Sequence, residues 1–235
     1  MKVAVVGLAR KLIENKLPEY GLKLNKKDPD VVISFGGDGT ALLAERIYPT
    51  IPRILIKHSK VCVKCKEHDF SKVLSALKNK RFKIIEEIKV EGTINKDPKR
   101  KLIGLNEIGI HHKIPTKTIR LQVKVNGKII KNEVIGDGVI IATPYGSSGY
   151  FYSITRGRFS KGLGVAFKLP RKKTKSRIVK DSSKIEIKVL RGHGLMTADN
   201  NEKMFSISSG DLITVRKSKQ KTKIIELKGK RRISV

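Results

Sequence analysis

Short unbroken apolar runs open the chain, and stretches of helical spacing separate them. Residues 2–7 and 31–35 contain Val-Ala-Val-Val and Val-Val-Ile-Ser-Phe, the runs expected of parallel strands buried on both faces. Residues 53–58, Arg-Ile-Leu-Ile-Lys-His, supply a third. Residues 8–17 and 41–48 have helical composition, and residues 70–77 place apolar side chains at i, i+3, i+4 and i+7. Strands alternating with helices predict a small α/β layer around a parallel sheet. From about residue 82 the pattern changes. Strands are predicted over 82–90, 102–110 and 139–142, with a hairpin over 121–130 that turns at Asn126-Gly127. Residues 185–189 alternate strictly, as do parts of 204–208 and 211–215. The expected fold class is an α/β N-terminal domain with a small parallel sheet plus a β-rich C-terminal domain. Their expected bounds are 1–80 and 81–235, with a site in the crevice between them.

Composition adds a class and a compartment. A chain of 235 residues with 39% hydrophobic content can bury a core and is not a disordered polymer. No apolar run is long enough to span a bilayer, and the opening strand is too soon interrupted for a signal peptide, so a cytoplasmic protein is expected. Charge changes the picture more. Against 52 Lys and Arg stand 21 Asp and Glu, so even full pairing leaves a net charge of +31. Such a surface attracts polyanions. Its basic residues gather at 171–177, 216–223 and 228–232, which makes non-specific nucleic-acid binding an expectation. Aromatics are only 5% with no Trp, few for a surface that stacks single-stranded bases, and the plainer reading is a solubilising surface. Abundant Lys and Ile with scarce Gln fit a thermophile.

Cys62 and Cys65 are spaced C-x-x-C, with His58 upstream and His68 downstream. Zinc needs four ligands, which this cluster would just supply. The favoured reading is a pair of small core residues in an intracellular chain, with a metal or redox role as the alternative.

The sharpest candidate chemistry lies in Gly36-Gly37-Asp38-Gly39-Thr40, between a buried strand and a helix for which Thr40 is the expected N-cap. Such a unit offers free backbone N–H groups and a helix dipole to an anion, and glycines let a phosphate come close. A carboxylate among phosphates is more naturally a proton acceptor or a group near a metal ion than a charge balancer. An ordinary βα turn explains the loop equally well. The loop is neither G-x-G-x-x-G nor G-x-x-x-x-G-K-[ST], which removes the main support for Rossmann and P-loop readings. A second constellation follows: Asn106-Glu107, then Gly136-Asp137-Gly138, then Thr143-Pro144-Tyr145-Gly146-Ser147-Ser148-Gly149-Tyr150. Its hydroxyls and bare amides suit phosphate or ribose oxygens, and an amide beside a carboxylate suits an adenine edge and ribose hydroxyls. His111-His112 reads as a surface strand end.

Taken in this order, the fragments resemble the NAD kinase family over residues 1–215. The wider Gly-Gly-Asp-Gly-Thr superfamily includes lipid kinases and phosphofructokinases, and the second loop with Asn106-Glu107 favours the NAD kinase branch. The resemblance implies that family's two-domain fold. It implies transfer of the terminal phosphate of ATP, or of polyphosphate in some members, to the 2′-hydroxyl of the adenosine ribose of NAD. Asp38 would be the base that takes the hydroxyl proton. Gly36, Gly37, Gly39 and Thr40 would hold donor phosphates. Asn106 and Glu107 would contact the ribose and adenine of NAD, and Asp137 would lie near the nicotinamide half. Thr143, Ser147, Ser148, Gly149, Tyr150 and Ser153 would line the adenosine pocket, and Asp199 matches an Asp-Gly pair late in the family. Magnesium would arrive with ATP rather than in a protein-held metal site, and the assembly would be a dimer or tetramer.

The chain also departs from the family. Ile56-Lys57-His58-Ser59-Lys60-Val61-Cys62-Val63 stands where the family has Gly-x-Asn-x-Gly-x-Leu-Gly-Phe, and residues 154–177 lack its Gly-Gly-Pro and proline–histidine stretches. These changes bring in basic residues. They leave open an acceptor more anionic than NAD. They also leave open a non-catalytic nucleotide- or nucleic-acid-binding member of the same fold.

Overall fold

The computed structural model describes residues 1–60, 62–65 and 69–227; His68 and the basic run at 228–232 lie outside the described residues. The chain forms two compact units, Met1–Glu87 with residues from Lys221 on, and Ile88–Gln220.

The first unit begins β1 (Lys2–Val6), α1 (Lys11–Glu14), β2 (Lys23–Leu24), β3 (Val31–Gly36) and α2 (Asp38–Ile47). It continues with β4 (Arg53–Lys57), α3 (Phe70–Lys78) and the start of β5 (Phe82–Ile94). The strands are parallel in the order β2-β1-β3-β4. The end of the chain's last strand joins beside β4, with Ile224 opposite Arg53. The unbroken apolar runs are explained by burial on both faces. One face packs Val3, Val5, Ile33, Phe35, Ile54 and Ile56 against Ile13, Leu17 and the Val73, Leu74 and Leu77 stripe of α3. The other packs Ala4, Val6 and Val32 against Ala44 of α2. Asp69 caps α3 by accepting from the Ser71 amide at 2.9 Å.

The helix expected over 8–17 shrinks to α1. Leu8 is fully exposed and Leu12 half exposed, so Ile13 and Leu17 are the fully buried anchors there, with Ala9 partly buried beside them. Pro18 then opens a 3-10 turn, Pro18–Tyr20, closed by left-handed Gly21 at φ 65°. Beneath α2 lies a buried polar cluster. Arg53 Nη2 meets Glu45 Oε2 at 2.7 Å and also donates to the carbonyls of Tyr48 and Ile51. The Thr222 hydroxyl donates to the same Glu45 carboxylate.

The second unit continues with β6 (Lys101–Gly104), β7 (Glu107–His112), β8 (Ile119–Val125), β9 (Lys128–Gly136) and β10 (Gly138–Ala142). There follow α4 (Tyr150–Thr155), β11 (Leu163–Lys168), β12 (Arg177–Val179), β13 (Ile185–Arg191), β14 (His193–Ala198), β15 (Phe205–Ser208) and β16 (Leu212–Leu227). One antiparallel sheet runs β12-β11-β10-β7-β14-β15. The first part of β16 pairs with β13, β13 with β8, and β8 with β9, while β5 pairs with β6. The core joins Ile108, Ile110, Val139, Ile141, Val165 and Phe167 to Leu121, Val123, Ile187 and Ile213. The β8–β9 hairpin turns through Asn126 (φ 49°) and Gly127 (φ 79°), the positive pair that a two-residue hairpin needs. The strand expected over 102–110 is broken: Leu105 and Asn106 separate β6 from β7.

Candidate functional site

In the first unit, β3 ends at Gly36, Gly37 is the extended N-cap, and α2 begins at Asp38. Thr40 therefore lies inside the first turn and is not the expected cap. Its side chain packs over Gly36, where an added Cβ would lie 2.8 Å from the Thr40 Cβ and overlap its hydroxyl. Only glycine fits beneath it. Asp38 occupies the first turn, where the helix dipole favours a negative charge. Its carboxylate accepts the Val63 amide at Oδ2 (3.0 Å) and the Lys64 amide at Oδ1 (3.2 Å). Cys62 Sγ stands 3.1 Å from the same Oδ1.

Cys62 and Cys65 are joined in a disulfide, and both are half-buried rather than in the core, which corrects the expectation for them. Their chain segment lies outside any strand or helix, so no sheet face buries them. Potential ligand atoms of Asp38, Cys62 and Cys65 fall within 4.8 Å of one another. Disulfide sulfurs are not thiolates, however, and do not ligate a metal in this state. His58 stacks on Phe35 with ring centroids 4.3 Å apart, and its amide donates to the Gly36 carbonyl at 2.9 Å, bracing the end of β3.

In the second unit, the turn at residues 105–107 is strapped from beneath. Asp199 accepts the amides of Leu105 (2.8 Å), Asn106 (2.8 Å) and Glu107 (3.1 Å). Buried Thr143 donates its hydroxyl to the Leu105 carbonyl at 2.6 Å and accepts the Gly146 amide at 3.0 Å. The Thr143 amide donates to the Asn106 carbonyl at 2.8 Å. A Cβ on Gly146 would overlap that carbonyl, so the 3-10 turn Tyr145–Ser148 closes on the strap only with glycine there. A Cβ at Gly149 would lie 3.6 Å from Asn106 Nδ2 and 4.0 Å from Glu107 Oε2. Asn106, Glu107 and Gly149 thus surround one point. Ser147 is buried in the 3-10 turn, Ser148 is half-buried, and α4 begins one residue after Gly149.

Asp137, Tyr150 and Ser153 share a cavity of about 650 Å³ with Lys168, Lys173 and Thr174. Behind Lys168 lies His111, and Lys168 Nζ sits 2.8 Å from its Nδ1. An ammonium donates and cannot accept, so that ring nitrogen is unprotonated and Nε2 carries the hydrogen toward Thr197 Oγ1 at 3.1 Å. Burial, then the charges of Lys168 and His112, push the His111 pKa down to about 4. His111 is thus a neutral, packed residue rather than a surface strand end. His112 Nδ1 stands 3.5 Å from Asp137 Oδ1. The structure therefore gathers Asn106, Glu107, Thr143, Gly149 and Asp199 at one turn, and Asp137, Tyr150 and Ser153 at one cavity. Sequence reasoning missed Lys168 and the amides of Val63 and Lys64. Lys168 ends the apolar run of β11, the one available signal.

Residues 105–227 match the ATP-NAD kinase C-terminal domain family. An NAD kinase of Pyrococcus furiosus is 30% identical over 211 residues, 87% of this chain and 76% of the relative. One from Sulfurisphaera tokodaii is 32% identical over 162 residues, 67% of this chain and 62% of the relative. A solved NAD kinase from Archaeoglobus fulgidus, in complex with ATP, shares the fold with a TM-score of 0.80 at 22% identity, covering 97% of this chain and 94% of that one. Yeast NADH kinase complexed with NADH does so at 0.79 and 16%, covering 96% and 83%. The Asp199-strapped turn, the Thr143 strut and the rest of the second constellation lie inside the matched segment, and the chain belongs to the NAD kinase family of phosphotransferases.

Proposed function

We propose that the protein transfers the terminal phosphate of magnesium-bound ATP, or of polyphosphate, to the 2′-hydroxyl of the adenosine ribose of NAD. The strapped turn at residues 105–107 carries this reading. Asn106 offers an amide donor and acceptor suited to an adenine edge, and Glu107 offers acceptors to ribose hydroxyls. Asp199 and Thr143 hold the turn before any ligand arrives, which lowers the cost of binding. Ser147, Ser148, Gly149, Tyr150 and Ser153 complete the adenosine side, with Asp137 toward nicotinamide. Asp38 takes the hydroxyl proton, and the amides around Gly36, Gly37, Gly39 and Thr40 receive donor phosphates at the start of α2. Phosphoryl transfer needs alignment and charge neutralisation more than covalent chemistry, which glycine amides and a basic surface supply. A dimer or tetramer and a cytoplasmic setting belong to the same reading and rest on the family resemblance.

The test is purified protein with NAD, magnesium and ATP, or polyphosphate in parallel, with NADP read by an NADP-specific dehydrogenase. NADP formation with either donor is the expected result. No NADP with either donor, from reduced and from oxidised protein, alongside calorimetric NAD binding, would identify a non-catalytic nucleotide-binding member instead.

A further inference from the structure

The loop that follows β4 lies against the residue proposed as the base. Residues 62–65 belong to no strand or helix, yet they make three contacts to one carboxylate. Val63 and Lys64 donate the two amides, and they are the two residues bracketed by the Cys62–Cys65 disulfide. The Cys65 amide donates to Cys62 Sγ at 3.0 Å, which tightens the same turn. A carboxylate has about four lone-pair directions. The loop takes up two with amides and faces a third with a sulfur that, in the disulfide, bears no proton. A general base must lie within hydrogen-bond reach of the proton it takes. A substrate hydroxyl and this loop therefore compete for the same oxygens.

We propose that Cys62 and Cys65 are a reversible oxidation site, whose disulfide seats the loop on Asp38 and withholds that carboxylate from the acceptor hydroxyl. The proposal rests on Asp38 as the base of the reaction proposed above. The oxidant is a low-molecular-weight disulfide. One cysteine thiolate attacks it and expels a thiolate, giving a mixed disulfide. The other cysteine thiolate then attacks the protein sulfur and expels the second thiolate. Two protein thiols lose two electrons to the small disulfide, and their protons end on the two released thiols. On reduction the cross-link is gone. A loop whose described residues 62–65 belong to no strand or helix then opens easily, since local stability follows buried contacts and shared hydrogen bonds. Both cysteines are half-buried, so a small disulfide can reach them.

The test compares the full chain treated with oxidised glutathione and with dithiothreitol, the disulfide being verified by intact mass. A positioned base is worth about 10²–10⁴ in rate, so partial occlusion predicts turnover at least about tenfold lower in the oxidised protein. Dithiothreitol restores it, and Cys65→Ser abolishes the response to oxidant. Amide hydrogen exchange at Val63 and Lys64 supplies a readout that needs no turnover. Exchange is slow in the oxidised protein, and it becomes fast on reduction or in oxidised Asp38→Ala. Equal turnover in the two verified states overturns the proposal. So does reduced protein that carries stoichiometric zinc released by oxidant, since the pair is then a metal site. If neither state forms NADP, the kinase reading fails by itself. Exchange then decides whether the disulfide seats the loop on Asp38, and equal exchange in both states overturns the proposal.

Discussion

The two glycine-rich segments are held in different ways. At residues 105–107 and 143–149 the side-chain straps come from residues that directly follow strands: Asp199 on three amides, and Thr143 between a carbonyl and an amide. At residues 36–40 the backbone is equally determined, because Gly36 must lie under Thr40. The Asp38 side chain, however, is held by a separate loop with a removable cross-link. The turn at residues 105–107 is thus braced by the fold itself, while the Asp38 side chain rests against a loop whose cross-link can be undone. Preorganisation and adjustability are assigned to different parts of one chain.

This contrast predicts a division of mutational effects. Asp38→Asn loses about 10²–10⁴ in turnover, or about 3–5 kcal/mol of barrier, with the NAD dissociation constant unchanged by calorimetry. A variant that keeps full turnover breaks the chemical side of the contrast. Arg53→Met removes the 2.7 Å ion pair to buried Glu45 and lowers stability by about 3–5 kcal/mol in urea unfolding. NAD affinity is then untouched at temperatures where the protein stays folded.

Asp199→Ala strips the acceptor from three amides and costs about 2–3 kcal/mol of stability. It also weakens NAD binding, and unaltered affinity would show that the turn needs no strap. The smallest effect is a pH slope. The His111 pKa is about 4 when folded, against an ordinary 6.5, so the unfolded chain binds the extra proton between these values. Stability from this group is complete above about pH 6.5 and is lost as pH falls toward 4, on the order of 2 kcal/mol after allowing for partial exposure. His111→Gln should flatten that part of the urea-stability profile. An identical slope would reject a neutral His111 as its source.

The parallel strands were legible because burial on both faces writes an unbroken apolar run. The break between β6 and β7 was not, because its cause is Asp199, which reaches Asn106 from 93 positions away. Helix α4 was hidden by its own composition. Tyr-Phe-Tyr-Ser-Ile-Thr favours a strand locally, and burial of Phe151 overrides that preference. Asp38, Asn106 and Glu107 stood out by residue type and order. Lys168 did not, since nothing local marks a lysine at a strand end as a neighbour of a neutral histidine. The C-x-x-C spacing was visible, but its meaning depended on which side chain the loop would touch.

The polar cluster under α2 bears on biosynthesis. Glu45 belongs to the helix whose first turn bears Asp38, and it is bound by Arg53 and by Thr222. Thr222 and Ile224, which extends the parallel sheet beside Arg53, are among the last described residues to leave the ribosome. A fragment ending at residue 87 would lack both. The unit that bears Asp38 therefore cannot be completed until the segment around Thr222 has been synthesised.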